Sequence, residues 1–357
     1  MLEDYIWTIL ENNNLPILFY GTGDGADKLL KIFDDKKLKC EAFIVSDDFY
    51  RGQSFKGYKC MTVSMAEEIY KDFICLVSFG TRIESVIENI KKISGRHTVF
   101  IPSTPLFGDR IFDKEYYETN ISKIEETKSL FEDELSVRTI DDIIKFRLTS
   151  KPDYLYDCME KREMFDCTDS DYTAYVDLGA YRGDTLKDAL EKYESLEKII
   201  CFEPASNPFR KLSEYVSSLD SKYKITLVNK GAYDSCTKVS FLDGGGKGSH
   251  VNTDNSKSLS GAKSKDIEMC TLDSVSSFKN ERLLIKYDVE GEEMKALFGS
   301  EETIKANKTD LIISLYHKCG DIFDLPLYIS KQYPNSKMKL RKFYGIPDWD
   351  ILLFVKI

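Results

Sequence analysis

Short apolar runs alternate with amphipathic stretches along most of the chain. "PILFYGTGDGADKLLKIF" reads as an apolar strand, a glycine-rich turn and a helix with Ala26, Leu29, Leu30 and Phe33 at helical spacing. An amphipathic opening segment precedes it. "CEAFIVSDD" follows as a second strand, then the turn-rich "RGQSFKGYKC". "MAEEIYKDF" predicts a helix, "ICLVSFG" a strand, "RIESVIENIKKI" a helix and "HTVFIP" a fourth strand. Strands alternating with helices imply a parallel sheet, here a small Rossmann-like α/β domain over residues 1–105.

Residues 106–168 change character. They are charged, helical in period and almost free of glycine and proline, and Ile121, Ile124, Leu130 and Leu135 suggest one buried face. This predicts a helical connector packed on a neighbour rather than a loose linker. A second alternating pattern fills 169–357. Its expected strands are "AYVDLG", "KIICFEP", "ITLVNKGA", "KVSFLD", "LLIKYDV", "LIISLY" and "DWDILLFVKI", seven in a mostly parallel sheet. Leu186, Ala189, Leu190 and Tyr193 stripe its first helix. Residues 243–265, "DGGGKGSHVNTDNSKSLSGAKSK", are polar and rich in glycine and serine, so a lid or a disordered loop is expected there. The fold class is α/β, two Rossmann-like units joined by helices.

Composition narrows the function classes. At 357 residues the chain has room for two domains. A net charge of −10 provides no basic field for nucleic acid. No apolar run approaches the ~20 residues of a membrane span, and the acidic opening does not read as a secretory signal. The nine cysteines form no C-x-x-C pair, and most lie in apolar stretches. A reduced, cytoplasmic protein without a cysteine zinc site is expected.

The chemistry concentrates around "YVDLGAYRGDTL". Gly179 and Gly183 after a strand allow a sharp turn and leave no Cβ in the way of a ligand, while the helix that follows points free amides into the same space. Asp177 just before the turn opposes a pyrophosphate and suits a positively charged ligand. Glu203 ends "IICFEP", where a strand-tip carboxylate can accept from the two hydroxyls of a ribose.

With "FEP", "TLDSV", "LLIKYDVEGEEMKAL" and "ISLYHKCGDIFDLPLYI", this stretch resembles the FkbM family of S-adenosylmethionine-dependent methyltransferases over roughly residues 130–357. The resemblance implies that Asp177, Gly179, Tyr181 and Gly183 line the methionine end of the cofactor. It implies Glu203 on the ribose, with Asn229 and Ala232–Tyr233 near adenine. Carboxylates at the pocket mouth also suit a sulfonium carrier.

An alcohol acceptor is a poor nucleophile, so a base nearby would help. Asp288 ends "IKYDVEG" and His317 follows "LIISLY", so both should reach the carboxyl-terminal edge of the sheet. His317 is the expected base, with Asp288 contacting cofactor or acceptor. Asp288 could instead cap a helix or orient Lys286, and His317 could be a structural imidazole. Glu290, Lys318, Asp321 and Arg341 are candidate acceptor contacts, otherwise solvated charges. No second and third ligand accompany Asp288, so no metal is expected.

The first domain resembles the small Rossmann-like domains of sugar-modifying enzymes, through Gly21, Gly23, Gly25 and Asp47. It reads as a packing or dimerisation unit rather than a nucleotide site, and self-association stays open. The leading expectation is an O-methyltransferase acting on a sugar hydroxyl of a small molecule or glycan. Two alternatives are a nucleotide-sugar or NAD-dependent enzyme built on the first glycine turn, and a non-catalytic binding protein. Against the second enzyme, no Tyr-x-x-x-Lys follows that turn.

Overall fold

In the computed structural model, which describes residues 4–104, 106, 110–243, 250–251 and 263–357, the alternation of strands and helices produces two sheets. The amino-terminal sheet runs in the order Ser54–Phe55, Tyr58–Met61, Ala42–Ile44, Ile17–Tyr20, Ile74–Val77, Thr98–Phe100. All its pairings are parallel except that of Ser54–Phe55 with Tyr58–Met61. Ile17–Tyr20 and Ile74–Val77 are buried at every position, which is why they read as continuous apolar runs. Helix Asp24–Lys36 covers one face through Ala26, Leu29, Ile32 and Phe33.

The second sheet has eight strands, one more than expected. Its order is Lys224–Val228, Lys198–Phe202, Ala174–Leu178, Arg282–Tyr287, Lys308–Ser314, Ile351–Lys356, Lys337–Phe343, Met159–Glu160. Only Ile351–Lys356 runs antiparallel to its neighbours. Lys337–Phe343, "KMKLRKF", was not expected as a strand. Its Met338 and Leu340 are buried, but lysines and an arginine between them hide the period of two. One expected strand, "KVSFLD", and the end of another go elsewhere. "ITLVNKGA" breaks after Val228, and Gly231–Ala232 joins Thr237–Asp243, His250–Val251 and Lys263–Cys270 in a separate, mainly antiparallel sheet. The expected lid at 243–265 falls mostly outside the described residues.

Helices Lys114–Ser129, Glu134–Thr149 and Asp153–Cys158 form the connector. Asp113 and Asp133 cap the first two, each accepting from the backbone N–H three residues on. Ile124 is buried, but Ile121 is 45% exposed and Leu130 and Leu135 only half-buried. The buried stripe of Lys114–Ser129 instead runs through Asn120, Ile124 and Thr127.

The amino-terminal and carboxy-terminal units meet closely. Thr81 and Ile346 exchange backbone hydrogen bonds, Arg82 pairs with Asp350, and the Trp349 ring packs against Gly80. A Cβ on Gly80 would lie 2.2 Å from Trp349 Cζ3, so only glycine admits the indole there. Among the described residues no helix is long and apolar enough to cross a membrane.

Candidate active site

The glycine turn joins Ala174–Leu178 to helix Asp184–Lys192. Gly179, Tyr181 and Gly183 all have positive φ, at 99°, 49° and 89°. The amides of Gly179 and Ala180 donate to Phe202 O at 3.1 and 2.9 Å, tying the turn to the end of the next strand. A Cβ on Gly179 would lie 2.0 Å from the Asp288 carbonyl oxygen, and one on Gly183 would lie 2.9 Å from the Tyr215 ring. What presses on this turn is therefore the chain itself. The glycines are required by packing, whatever binds above them.

Glu203, at the tip of Lys198–Phe202, clasps the turn. Its Oε2 accepts from the Tyr181 amide at 2.9 Å and its Oε1 from the Ala205 amide at 2.7 Å. Each oxygen keeps a further lone pair. The residue is 6% exposed, and burial pushes its pKa up to about 7 against the pull of the two amides. Asn229, expected near a base ring, is exposed and donates to Glu203 O at 2.8 Å. Ala232 is buried in the core, and the Tyr233 hydroxyl meets Lys295.

Asp177 does not line an open crevice. It is fully buried, directly opposite Lys286 in the register of the two central strands, and Lys286 Nζ donates to its Oδ1 at 3.1 Å. Nζ also reaches Gly179 O at 3.4 Å and lies 3.5 Å from Asp288 Oδ2. Although burial alone would lower it, the two aspartates hold the Lys286 pKa above its ordinary value. Asp177 therefore anchors the lysine that joins the turn to Asp288. Lys286 is the residue the sequence reading undervalued. A lysine inside an otherwise apolar parallel strand is the signal, since such a charge requires a buried partner.

Asp288 accepts from Ser314 Oγ at 2.9 Å and the Tyr316 hydroxyl at 3.0 Å, and its carboxyl is held below the usual range despite burial, chiefly by Lys286 and then His317. His317 is 3% exposed. Its Nδ1 sits 2.8 Å from Glu293 Oε1, and its Nε2 lies 3.6 Å from Asp288 and 3.7 Å from Glu290. Glu293 Oε1 also accepts from the Val289 and Gly291 amides, which holds the left-handed Glu290–Gly291 pair. Against the cost of burial, Glu293 and the two other carboxylates raise the His317 pKa to about 9. Both ring nitrogens face carboxylates, which favours the protonated ring, so His317 would have to lose that proton before it could act as a base.

The remaining candidates divide. Asp321 accepts from the Lys318 amide at 2.7 Å, and its pKa rises to about 7 through burial and the nearby Glu293. The exposed Lys318 ammonium lies 3.6 Å from Glu292. Glu290 stays at the site, 38% exposed at its side chain. Arg341 does not join them. It is buried against Asp133, Ser136 and Leu340 O at the start of helix Glu134–Thr149, a structural cation rather than an acceptor contact. Among the described residues no group of three or more His, Cys, Asp or Glu side chains is arranged to hold a metal.

In the first unit, a Cβ on Gly25 would lie 2.1 Å from Ser78 O and one on Gly21 2.5 Å from Phe79. Those glycines too serve packing. Asp47 is exposed in a short 3-10 turn, Asp47–Phe49.

A mostly parallel sheet, a left-handed glycine turn after its first central strand and a buried acid at the tip of the second define a Rossmann-like methyltransferase fold. Residues 177–332 match the model of the methyltransferase FkbM domain. The whole architecture resembles the crystal structure of methyltransferase FkbM from Methylobacillus flagellatus KT. The TM-score is 0.73 at 19% identity, over 98% of this chain and 92% of that one. Looser likenesses include precorrin-6y C5,15-methyltransferase from Geobacter metallireducens GS-15 (TM-score 0.31, 9% identity, 52% of this chain and 80% of that one). The Podospora anserina methyltransferase PaMTH1 is similarly distant (0.32, 11%, 70% and 99%), and neither carries weight here. No curated protein matches the chain.

Proposed function

We propose that this chain is an S-adenosylmethionine-dependent O-methyltransferase acting on a sugar hydroxyl. The observation that carries the cofactor reading is Glu203. A carboxylate with two amides in place and lone pairs to spare, beside a left-handed turn, fits the vicinal hydroxyls of a ribose. Around Lys286 and His317 the carboxylates of Asp177, Asp288, Glu290 and Glu293 outnumber the cations, which fits a positively charged sulfonium and amino group.

The cofactor would supply an electrophilic methyl, and the chain's task is alignment and exclusion of water. Gly179–Gly183 lie along the methionine end and Glu203 holds the ribose. Asp288, oriented by Ser314, Tyr316 and Lys286, accepts a hydrogen bond from the acceptor hydroxyl and aims it. The proton leaves late in such a displacement, so a weak base suffices, and Asp288 or the more open Glu290 receives it. His317, as an imidazolium, holds Asp288, Glu290 and Glu293 in register. It is a positioning residue.

The test is transfer of a labelled methyl group to a panel of free sugars, nucleotide-sugars and oligosaccharides. Incorporation into a hydroxyl supports the reading. Incorporation only into amines or carboxylates overturns the O-methyl assignment.

A further inference from the structure

Asp288 and Glu290 both face His317 Nε2, but their surroundings differ. Asp288 Oδ1 accepts from Ser314 Oγ at 2.9 Å and the Tyr316 hydroxyl at 3.0 Å, with His317 Nε2 3.6 Å away. Its Oδ2 lies 3.5 Å from the Lys286 ammonium. A carboxylate supplied with this many donors is stabilised as the anion. It can still accept a hydrogen bond from a hydroxyl and orient it, but it is a poor destination for the proton. Burial would raise its pKa, yet Lys286 and then His317 hold it below the ordinary value.

Glu290 is held in another way. Its backbone is left-handed, with φ at 56°, and Gly291 follows at 93°. Glycine takes that conformation readily, whereas a glutamate is strained in it and stays only where its surroundings impose it. Glu293 imposes it here. The residue is 1% exposed, and its Oε1 accepts from the Val289 amide at 2.9 Å and the Gly291 amide at 3.4 Å, one on each side of Glu290. A glycine at 290 would serve that turn without strain. What the strained glutamate adds is an aimed carboxylate, with its side chain 38% exposed and Oε2 3.7 Å from the same His317 nitrogen that faces Asp288.

We propose that Glu290 receives the proton of the acceptor hydroxyl, that Asp288 orients this hydroxyl, and that Glu293 is the positioning residue that aims Glu290. The step balances as a displacement. The hydroxyl oxygen bonds to the methyl carbon, the methyl–sulfur bond breaks with its electron pair going to sulfur, and the O–H proton moves to a Glu290 oxygen. Being partly exposed, Glu290 can then pass that proton to water, which the buried Glu293 cannot do directly. The inference rests on the sugar O-methyltransferase reading and decides between the two carboxylates it left open.

The test uses the full chain, S-adenosylmethionine and whichever sugar of the labelled panel the wild-type chain methylates. Glu290→Gly suits the left-handed backbone, so its melting temperature should hold and S-adenosylhomocysteine should still bind. Turnover should fall at least about 100-fold, and added formate should raise it again at least about tenfold. Glu293→Gln should speed hydrogen exchange at the Val289 and Gly291 amides at least about tenfold, a readout that needs no acceptor. Combined with Glu290→Gly it should cost no further turnover, because Glu293 acts through Glu290. Turnover of Glu290→Gly within about threefold of wild type, or formate rescue of Asp288→Gly in its place, overturns the proton assignment. Unchanged exchange in Glu293→Gln, or additive losses in the double variant, overturns the part given to Glu293. Where the wild-type chain labels no sugar at all, it is the O-methyl reading that fails, and the proton assignment with it.

Discussion

Asp177 and Lys286 face each other across the two central strands, fully buried, with the ammonium 3.1 Å from the carboxylate. The same ammonium reaches the Gly179 carbonyl and lies beside Asp288. One cation thus couples the turn expected to hold the cofactor to the carboxylate expected to meet the acceptor.

Breaking that pair should be costly. Lys286→Met strands a buried charge on Asp177 and is expected to destabilise the chain by about 3–5 kcal/mol in urea unfolding. Adding Asp177→Asn should recover much of the loss in stability, but not activity, because Asp288 loses its cation in both variants. Equal stability of wild type and Lys286→Met would contradict the pairing.

Gly179→Ala combines a φ of +99° with a Cβ 2.0 Å from a backbone carbonyl. A destabilisation well above about 2 kcal/mol is expected, with no ligand present. The contrary result, normal stability with weakened cofactor binding alone, would mean that ligand approach and not packing demands the glycine.

The folded-state pKa of His317, about 9, lies above its ordinary value of 6.5. Its contribution to stability is therefore fully present below pH 6.5 and lost as pH rises through 9, by at most about 3 kcal/mol. Urea midpoints measured from pH 6 to 10 should show this fall, and His317→Gln should flatten it. In turnover with cofactor saturating, His317 should contribute no limb near pH 6.5. A rate that rises through 6.5 in wild type and not in His317→Gln would restore the imidazole as base.

Arg341→Met should cost about 3 kcal/mol of stability by leaving Asp133 without its cation, yet leave the KM for acceptor unchanged once folded. A selective rise in that KM would return Arg341 to the acceptor site.

Much of this architecture was legible because buried parallel strands are written as uninterrupted apolar runs, as in Ile17–Tyr20 and Ile74–Val77. Lys337–Phe343 escaped because charged residues occupy its alternate positions. The stripe on Lys114–Ser129 was misread through Ile121, since a lone exposed isoleucine looks the same in sequence as a buried one. At the site, Glu203, Asp288, Glu290 and His317 were found as residue types at strand ends. The raised pKa of His317 was not legible, because it depends chiefly on Glu293, a helix residue whose contact with His317 only the fold creates. Glu203 shows the same limit, its two amide partners lying on different loops.

The most direct test is a calorimetric titration of the intact chain with S-adenosylhomocysteine at pH 6, 7 and 8. Glu203 has its pKa raised to about 7, and ribose hydroxyls would favour its ionised form, so affinity should rise with pH toward a plateau above 7. Glu203→Gln should bind at least tenfold more weakly at pH 8 and show no such rise. Failure of the wild-type chain to bind at any of the three pH values, or binding that Glu203→Gln leaves unchanged, would contradict the account.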